Sequence, residues 1–203
     1  MHEDTTDVLS CRPAQASDKP ALIATLADAF AHEPAFSFIV PDAAARKVAL
    51  AHAFRIIVDE DHRAGNIMMT TGGEAATLWR MPGRMRETRW DAIRTGLPYL
   101  AAFGTAIGRA SQVAGSIKAH LPADECWYLH YAGCRASRRG KGFGGAAIRA
   151  GLIQADAANT RAYLETADQN NLPIYRALGF EIVHSWQVPA GPQFWGMIRL
   201  PRS

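Results

Sequence analysis

The chain has 203 residues, 48% of them hydrophobic, enough to bury one sizeable core, so one domain is the default. Twenty-two Lys and Arg against nineteen Asp and Glu leave a formal charge of +3, too little for the broad cationic surface that non-specific nucleic-acid binding needs. Cys11, Cys126 and Cys134 form no CxxC pair or His/Cys metal spacing and read as reduced thiols of a cytoplasmic protein, while the polar, acidic N-terminus and the lack of any run of about 18 apolar residues argue against an export signal or a membrane span.

Residues 1–7 read as a disordered tail and 8–203 as one domain. "VLSCRPA" has the composition of a short edge strand, with Pro13 near its end. From Ser17 the signals turn helical: "SDKP" offers a cap and an early proline, then Leu22, Ile23, Leu26, Ala27 and Phe30 recur at helical spacing until Pro34. A second amphipathic stretch runs from about 43 to 59, with Val48, Phe54, Ile57 and Val58 as its apolar side. Two helices thus precede the sheet, joined by a turn that carries Glu33. The four positions "DEDH", Asp59 to His62, cannot converge on one side of a helix to hold a metal and read as a solvated helix end.

"NIMMTT", "GGEA" and "ATLWRMP" read as a hairpin. Residues 83–122 are read as helical, opening on a basic segment in which Arg80, Arg84, Arg86, Arg89 and Arg94 surround Trp90 and border an acceptor pocket. A strand over 127–134, a glycine turn, a helix from about 144 to 157 and the strand "RAYLETA" follow. A short helix around "NLPIYRALG" then leads to two closing strands, "FEIVHSWQVP" and "QFWGMIRL". This alternation argues for an α/β layer.

The turn "ASRRGKGFGG" carries the most chemistry. Ile148, Leu152 and Ala155 fix the following helix against the sheet, so its first backbone N–H groups, without intrahelical acceptors, face the turn. Those donors, the helix dipole and the side chains of Arg138, Arg139 and Lys141 make a site for a pyrophosphate-sized anion. A Walker A loop fails because Gly142, not Ser or Thr, follows Gly140 and Lys141. Gly140, Gly142 and Gly145 fit GxGxxG, with Glu165 as a tolerable acid, but too little chain follows for a dinucleotide domain. What remains is the R/Q-x-x-G-x-G/A turn, present as Arg139, Gly142 and Gly144.

With that turn, "WYLHYAGCRASRRGKGFGG", "AYLETADQNNLPIYRALGFEIV" and "VPAGPQFWGMIRLP", the chain resembles the GCN5-related N-acetyltransferases, the GNAT family, and within it the puromycin N-acetyltransferase-like branch. The resemblance implies an α/β fold with a single mixed central sheet, splayed between two parallel strands and carrying helices on both faces. It implies acetyl-CoA as the cofactor, bound by Arg138, Arg139, Gly140, Lys141, Gly142, Phe143, Gly144 and Gly145 at the turn. The backbone of Ala132, Gly133 and Cys134 would pair with the pantetheine arm and stabilise the thioester oxyanion, and Asn171 would touch the same arm. Tyr175 would touch the cofactor and protonate the leaving thiolate.

An acceptor ammonium must lose its proton before it attacks, and strand alternation would set His130 beside Tyr128, Ala132 and Cys134, opposite Trp127, Leu129, Tyr131 and Gly133. His130, similar to a strand histidine of the arylalkylamine branch, is then either the base or a hydrogen-bonded core residue. Glu33 is the second candidate base, and Glu165 reads as structural. The expected activity is direct acetyl transfer to a primary amine of a small molecule, by a monomer or homodimer with neither nucleic acid nor membrane as partner. A protein or peptide amine as acceptor, and a non-catalytic CoA sensor, are the alternatives.

Overall fold

The computed structural model describes residues 9–86 and 88–202; the tail expected over residues 1–7 and the side chain of Arg89 lie outside what it describes. The elements run β1 (Cys11–Pro13), α1 (Lys19–Ala29), α2 (Pro34–Ile39), α3 (Ala43–Ala64), β2 (Gly65–Thr70), β3 (Ala75–Arg80), α4 (Arg89–Phe103) and α5 (Ile107–His120). After these come β4 (Trp127–Cys134), α6 (Phe143–Ala157), β5 (Ala162–Thr166), α7 (Leu172–Ala177), β6 (Glu181–Gln187) and β7 (Gln193–Arg199). The strands form one sheet in the order β1-β2-β3-β4-β5-β7-β6. Every pairing is antiparallel except β4 with β5, so the sheet is mixed, as expected. Among the described residues no helix is long and apolar enough to cross a membrane.

Local chemistry explains most boundaries and corrects three. The "SDKP" cap is not made: Asp18 leaves α1 uncapped and takes the Arg12 guanidinium at 2.6 and 2.8 Å, with the Gln15 N–H at 2.7 Å. Three helices rather than two separate β1 from β2. Where a turn was expected, the Glu33 carboxylate accepts the Phe36 N–H at 2.9 Å and Pro34 occupies the first position, which starts the short helix α2. Helix α3 passes through "DEDH" to Ala64, and its buried stripe is Leu50, Ala53, Phe54, Ile57, Val58 and Asp61. Val48, expected on that stripe, is 60% exposed, because six residues before Phe54 is the opposite side of a 3.6-residue period.

Helices cover both faces of the sheet. On one, Ile148, Leu152 and Ala155 of α6 pack against Trp79, Trp127, Leu129 and Leu164. Contact is close enough that a Cβ on Gly151 would lie 2.0 Å from the Trp79 Nε1, so only glycine fits there. On the other face, Leu26, Phe36, Phe54, Ile57 and Val113 of the remaining long helices and α2 bury Leu78, Trp186 and Phe194.

Two irregularities of β4 prepare the site. Only Trp127 with Ala162 and Tyr128 with Tyr163 are paired across β4 and β5, after which the two parallel strands separate, as the family resemblance implied. On the opposite edge of β4 the register to β3 jumps from Trp79↔Leu129 to Leu78↔Tyr131, leaving His130 as the extra residue of a β-bulge. The bulge overturns the expected alternation. Tyr128, His130, Tyr131 and Gly133 contact the face of α1 and α3, whereas Trp127, Leu129, Ala132 and Cys134 contact the face of α6. One inserted residue reverses the parity of every side chain beyond it.

Candidate active site

The bulge aims His130 at the last turn of α3. There Asp61, fully buried, meets two nitrogen partners at once: Arg80 Nε at 2.6 Å from Oδ1 and His130 Nδ1 at 2.7 Å from Oδ2. Burial acts to raise the Asp61 pKa, but the charges and hydrogen bonds of His130 and Arg80 outweigh it and hold the carboxyl below its usual range. A carboxylate only accepts, so the imidazole carries its hydrogen on Nδ1 and Nε2 is the basic nitrogen. Expected as part of a solvated helix end, Asp61 instead orients the histidine. The signal was present in the spacing, since Asp61 stands seven residues after Phe54 and four after Ile57, on the apolar side of α3.

A cavity of about 600 Å³ opens over this face of the sheet. Phe30, Phe36, Tyr99, Phe103, Tyr131 and Phe194 supply aromatic wall, and α4 and α5 roof it through Thr95, Tyr99, Phe103 and Val113. The segment 83–122 therefore borders the pocket, as expected. Arg80 belongs not to the surface arginines but to the buried pair with Asp61. Among the polar lining residues are Glu33, His130, Glu165, Asn171 and Tyr175, so the cavity unites all three candidate catalytic side chains with Ala132 and Asn171 of the expected cofactor contacts.

The environment shifts several of these groups. Burial pushes Glu33 up to about 7 against the pull of the Phe36 and Ala35 N–H groups. Burial likewise pushes Glu165 up to about 7, despite the Tyr128 hydroxyl and the Arg80 charge. Tyr128 donates to Glu165 Oε1 at 2.5 Å. Tyr175 is buried, packs edge-on against Phe180 at 6.2 Å, and is raised far above its ordinary value by burial and by the carboxylates of Glu165, Asp168 and Glu33. It is a protonated phenol at neutral pH.

The glycine turn lies at the other end of β4. Gly140 and Gly142 have φ of 75° and 83°, values that favour glycine. Helix α6 makes its first bond from the Ala146 N–H to the Gly142 carbonyl, 2.9 Å, which leaves the N–H groups of Phe143, Gly144 and Gly145 without intrahelical acceptors. The loop is pinned to α1: Arg139 Nη2 donates to the Ala29 carbonyl at 2.7 Å, and the Ala136 N–H to Asp28 at 2.7 Å. The Arg139 guanidinium, expected on phosphate, thus holds the loop, while Arg138 and Lys141 extend into solvent. Gly133 packs under α1, where a Cβ would lie 2.9 Å from the Ala29 and Leu26 side chains, and a Cβ on Gly144 would lie 3.7 Å from the Cys134 Cβ. A diphosphate fits the amide-rich turn, and a thioester arm fits the gap where β4 loses its β5 partner.

The comparisons agree with this architecture. The acetyltransferase (GNAT) family matches residues 74–180, more than half of the chain. A Corynebacterium glutamicum structure described as histone acetyltransferase HPA2 and related acetyltransferase superposes with a TM-score of 0.70 at 24% identity, covering 96% of this chain and 97% of that one. Arylalkylamine N-acetyltransferase 2 from Aedes aegypti gives 0.59 at 12% identity over 95% and 99%. Drosophila melanogaster polyamine N-acetyltransferase, which forms N-acetylagmatine, gives 0.55 at 14% over 94% and 99%. The chain belongs to the GNAT family of acetyltransferases, whose members use acetyl-CoA.

Proposed function

We propose that this enzyme acetylates a primary amine of a small molecule, by direct transfer from acetyl-CoA while both are bound. The acceptor occupies the cavity over His130, and the thioester reaches it through the gap between β4 and β5. His130 Nε2 takes the amine proton while Asp61 holds the ring and balances the imidazolium charge. The amine nitrogen bonds to the acetyl carbon, backbone N–H groups of Ala132 to Cys134 receive the negative oxygen, and the C–S bond breaks. Tyr175 gives its hydroxyl proton to the departing sulfur. Glu33, committed to the α2 cap, shapes the cavity wall.

One observation carries this reading: the buried Asp61–His130 pair placed by a bulge where the parallel strands part. An aromatic-walled cavity of about 600 Å³ suits an amine with an apolar body, and the solved relatives that act on arylalkylamines and agmatine share the fold. The puromycin-branch resemblance makes aromatic amines the first to try. A thiol-release assay with acetyl-CoA and a panel of amines tests it. Amine-dependent release that falls at least about 100-fold in His130→Ala is expected. Acetyl-CoA binding with no release for any amine would favour the sensor reading.

A further inference from the structure

The Asp61–His130 pair accounts for one charged side chain on the cavity floor and leaves another without a task. Glu165 projects from β5 onto the same face as Tyr128 and His130, across the gap. Its Oε1 takes the Tyr128 hydroxyl, but its buried Oε2 has no hydrogen-bond partner among the described residues. A buried carboxyl oxygen without a donor is costly and uncommon in a folded protein. Glu165 lines the cavity and the torsion that sets its carboxyl plane is broad, so the carboxyl can turn toward a ligand there.

Each neighbour that could satisfy Glu165 is otherwise engaged or supplies no charge. Arg80 on β3 is bound to Asp61. Tyr128 and Tyr131 on β4, Cys126 before it, Tyr163 on the same strand and Tyr175 on α7 are all held neutral by burial. Of the other cations lining the cavity, Arg86 donates to the carbonyls of Lys118, Leu121 and Pro122, and Lys118 is solvent-exposed. An anionic acceptor would meet the carboxyl groups of Glu33 and Glu165 inside the cavity.

We infer that Glu165 is the specificity residue for the acceptor: its unpartnered oxygen receives the ammonium of a small cationic amine and delivers it to His130, one tyrosine away. The His130 and Tyr128 rings are 5.2 Å apart, and the Tyr128 hydroxyl ends on Glu165. Anchor and base are thus adjacent but separate. The substrate class is an amine charged at neutral pH with an apolar body against the aromatic wall, not a neutral aniline or an anionic amino acid. This rests on the acetyl-transfer reading above.

The test is steady-state kinetics at saturating acetyl-CoA with phenethylamine, tyramine, putrescine, agmatine and aniline, comparing the wild type with Glu165→Gln and Glu165→Asp. The anchor role requires charged amines to be preferred over aniline. Glu165→Gln should raise KM for the best charged amine at least tenfold, lower kcat less than threefold, leave the acetyl-CoA KM unchanged, and bring inhibition by the neutral isostere 2-phenylethanol level with that by the amine's N-methylated cation. Glu165→Asp, which keeps the charge, should recover part of the KM. An unchanged amine KM in a folded Glu165→Gln, or a loss confined to kcat, overturns the inference while acetyl transfer stands. If Glu165→Gln does not fold, Glu165→Asp and Tyr128→Phe decide, since amine KM unchanged in both equally overturns it. No release by the wild type with any amine removes the transfer reading and the anchor with it.

Discussion

From Trp127 to Ala157 the chain builds the proposed cofactor side of the site out of contiguous sequence: a strand, a turn and a helix whose first turn presents backbone N–H groups. The acceptor side is assembled from distant pieces, with Asp61 on α3, Arg80 on β3, His130 on β4 and Glu165 on β5, the aspartate and histidine 69 residues apart. The first region needs little from side chains and much from glycine. The second needs identity and placement of individual side chains in a buried setting. Substitutions should therefore act differently in the two.

The largest effect is expected where a buried charge loses its partner. Asp61→Ala strands Arg80 and His130 and should cost about 3–5 kcal/mol, read as a lower urea midpoint, with amine turnover lost as well. Gly151→Ala, on the sheet-facing side of α6, forces a methyl onto Trp79 and should cost about 1–3 kcal/mol; an unchanged melting temperature would show that α6 shifts freely. Tyr175→Phe should lower kcat about tenfold, roughly 1.4 kcal/mol of barrier, with acetyl-CoA affinity in calorimetry nearly unchanged. Equal turnover would remove the phenol from the mechanism.

A pH dependence sharpens the contrast further. Burial pushes Glu33 and Glu165 up to about 7 from the ordinary 4.5, so between these values the native state holds protons that the unfolded chain has released. The stability they favour is present below pH of about 4.5 and declines as pH rises through about 7. Glu165→Gln should flatten that decline, giving a melting temperature above that of the wild type at pH 8 but not at pH 5. The smallest effect belongs to Val48→Ser, on the open side of α3, which should stay within about 0.5 kcal/mol.

The glycine turn and α6 were legible because their determinants are local. Gly140, Gly142 and Gly144 sit at fixed offsets from a strand end, and the apolar stripe of α6 gives its orientation. The acceptor side was legible only in part. Glu33, His130 and Tyr175 were named and do share a cavity, but Asp61 and Glu165 were read as solvated and structural. Asp61 could have been found from its place on the apolar stripe of α3. The bulge at His130 has no signature in "WYLHYAGC", and without it Ala132 and Cys134 would share a side with Tyr128 and His130, facing α1 and α3 instead of α6.

The sequence by itself determined the alternation of strands and helices from β4 onward, the glycine turn before α6 and the family to which the chain belongs, because propensity, glycine positions and hydrophobic period act over a few residues. Only the tertiary structure decided which side of the sheet each residue of β4 faces, which carboxylate orients His130, and which is left without a partner. Those outcomes depend on strand register and on packing between segments far apart in the chain, and a single inserted residue in one pairing reverses them.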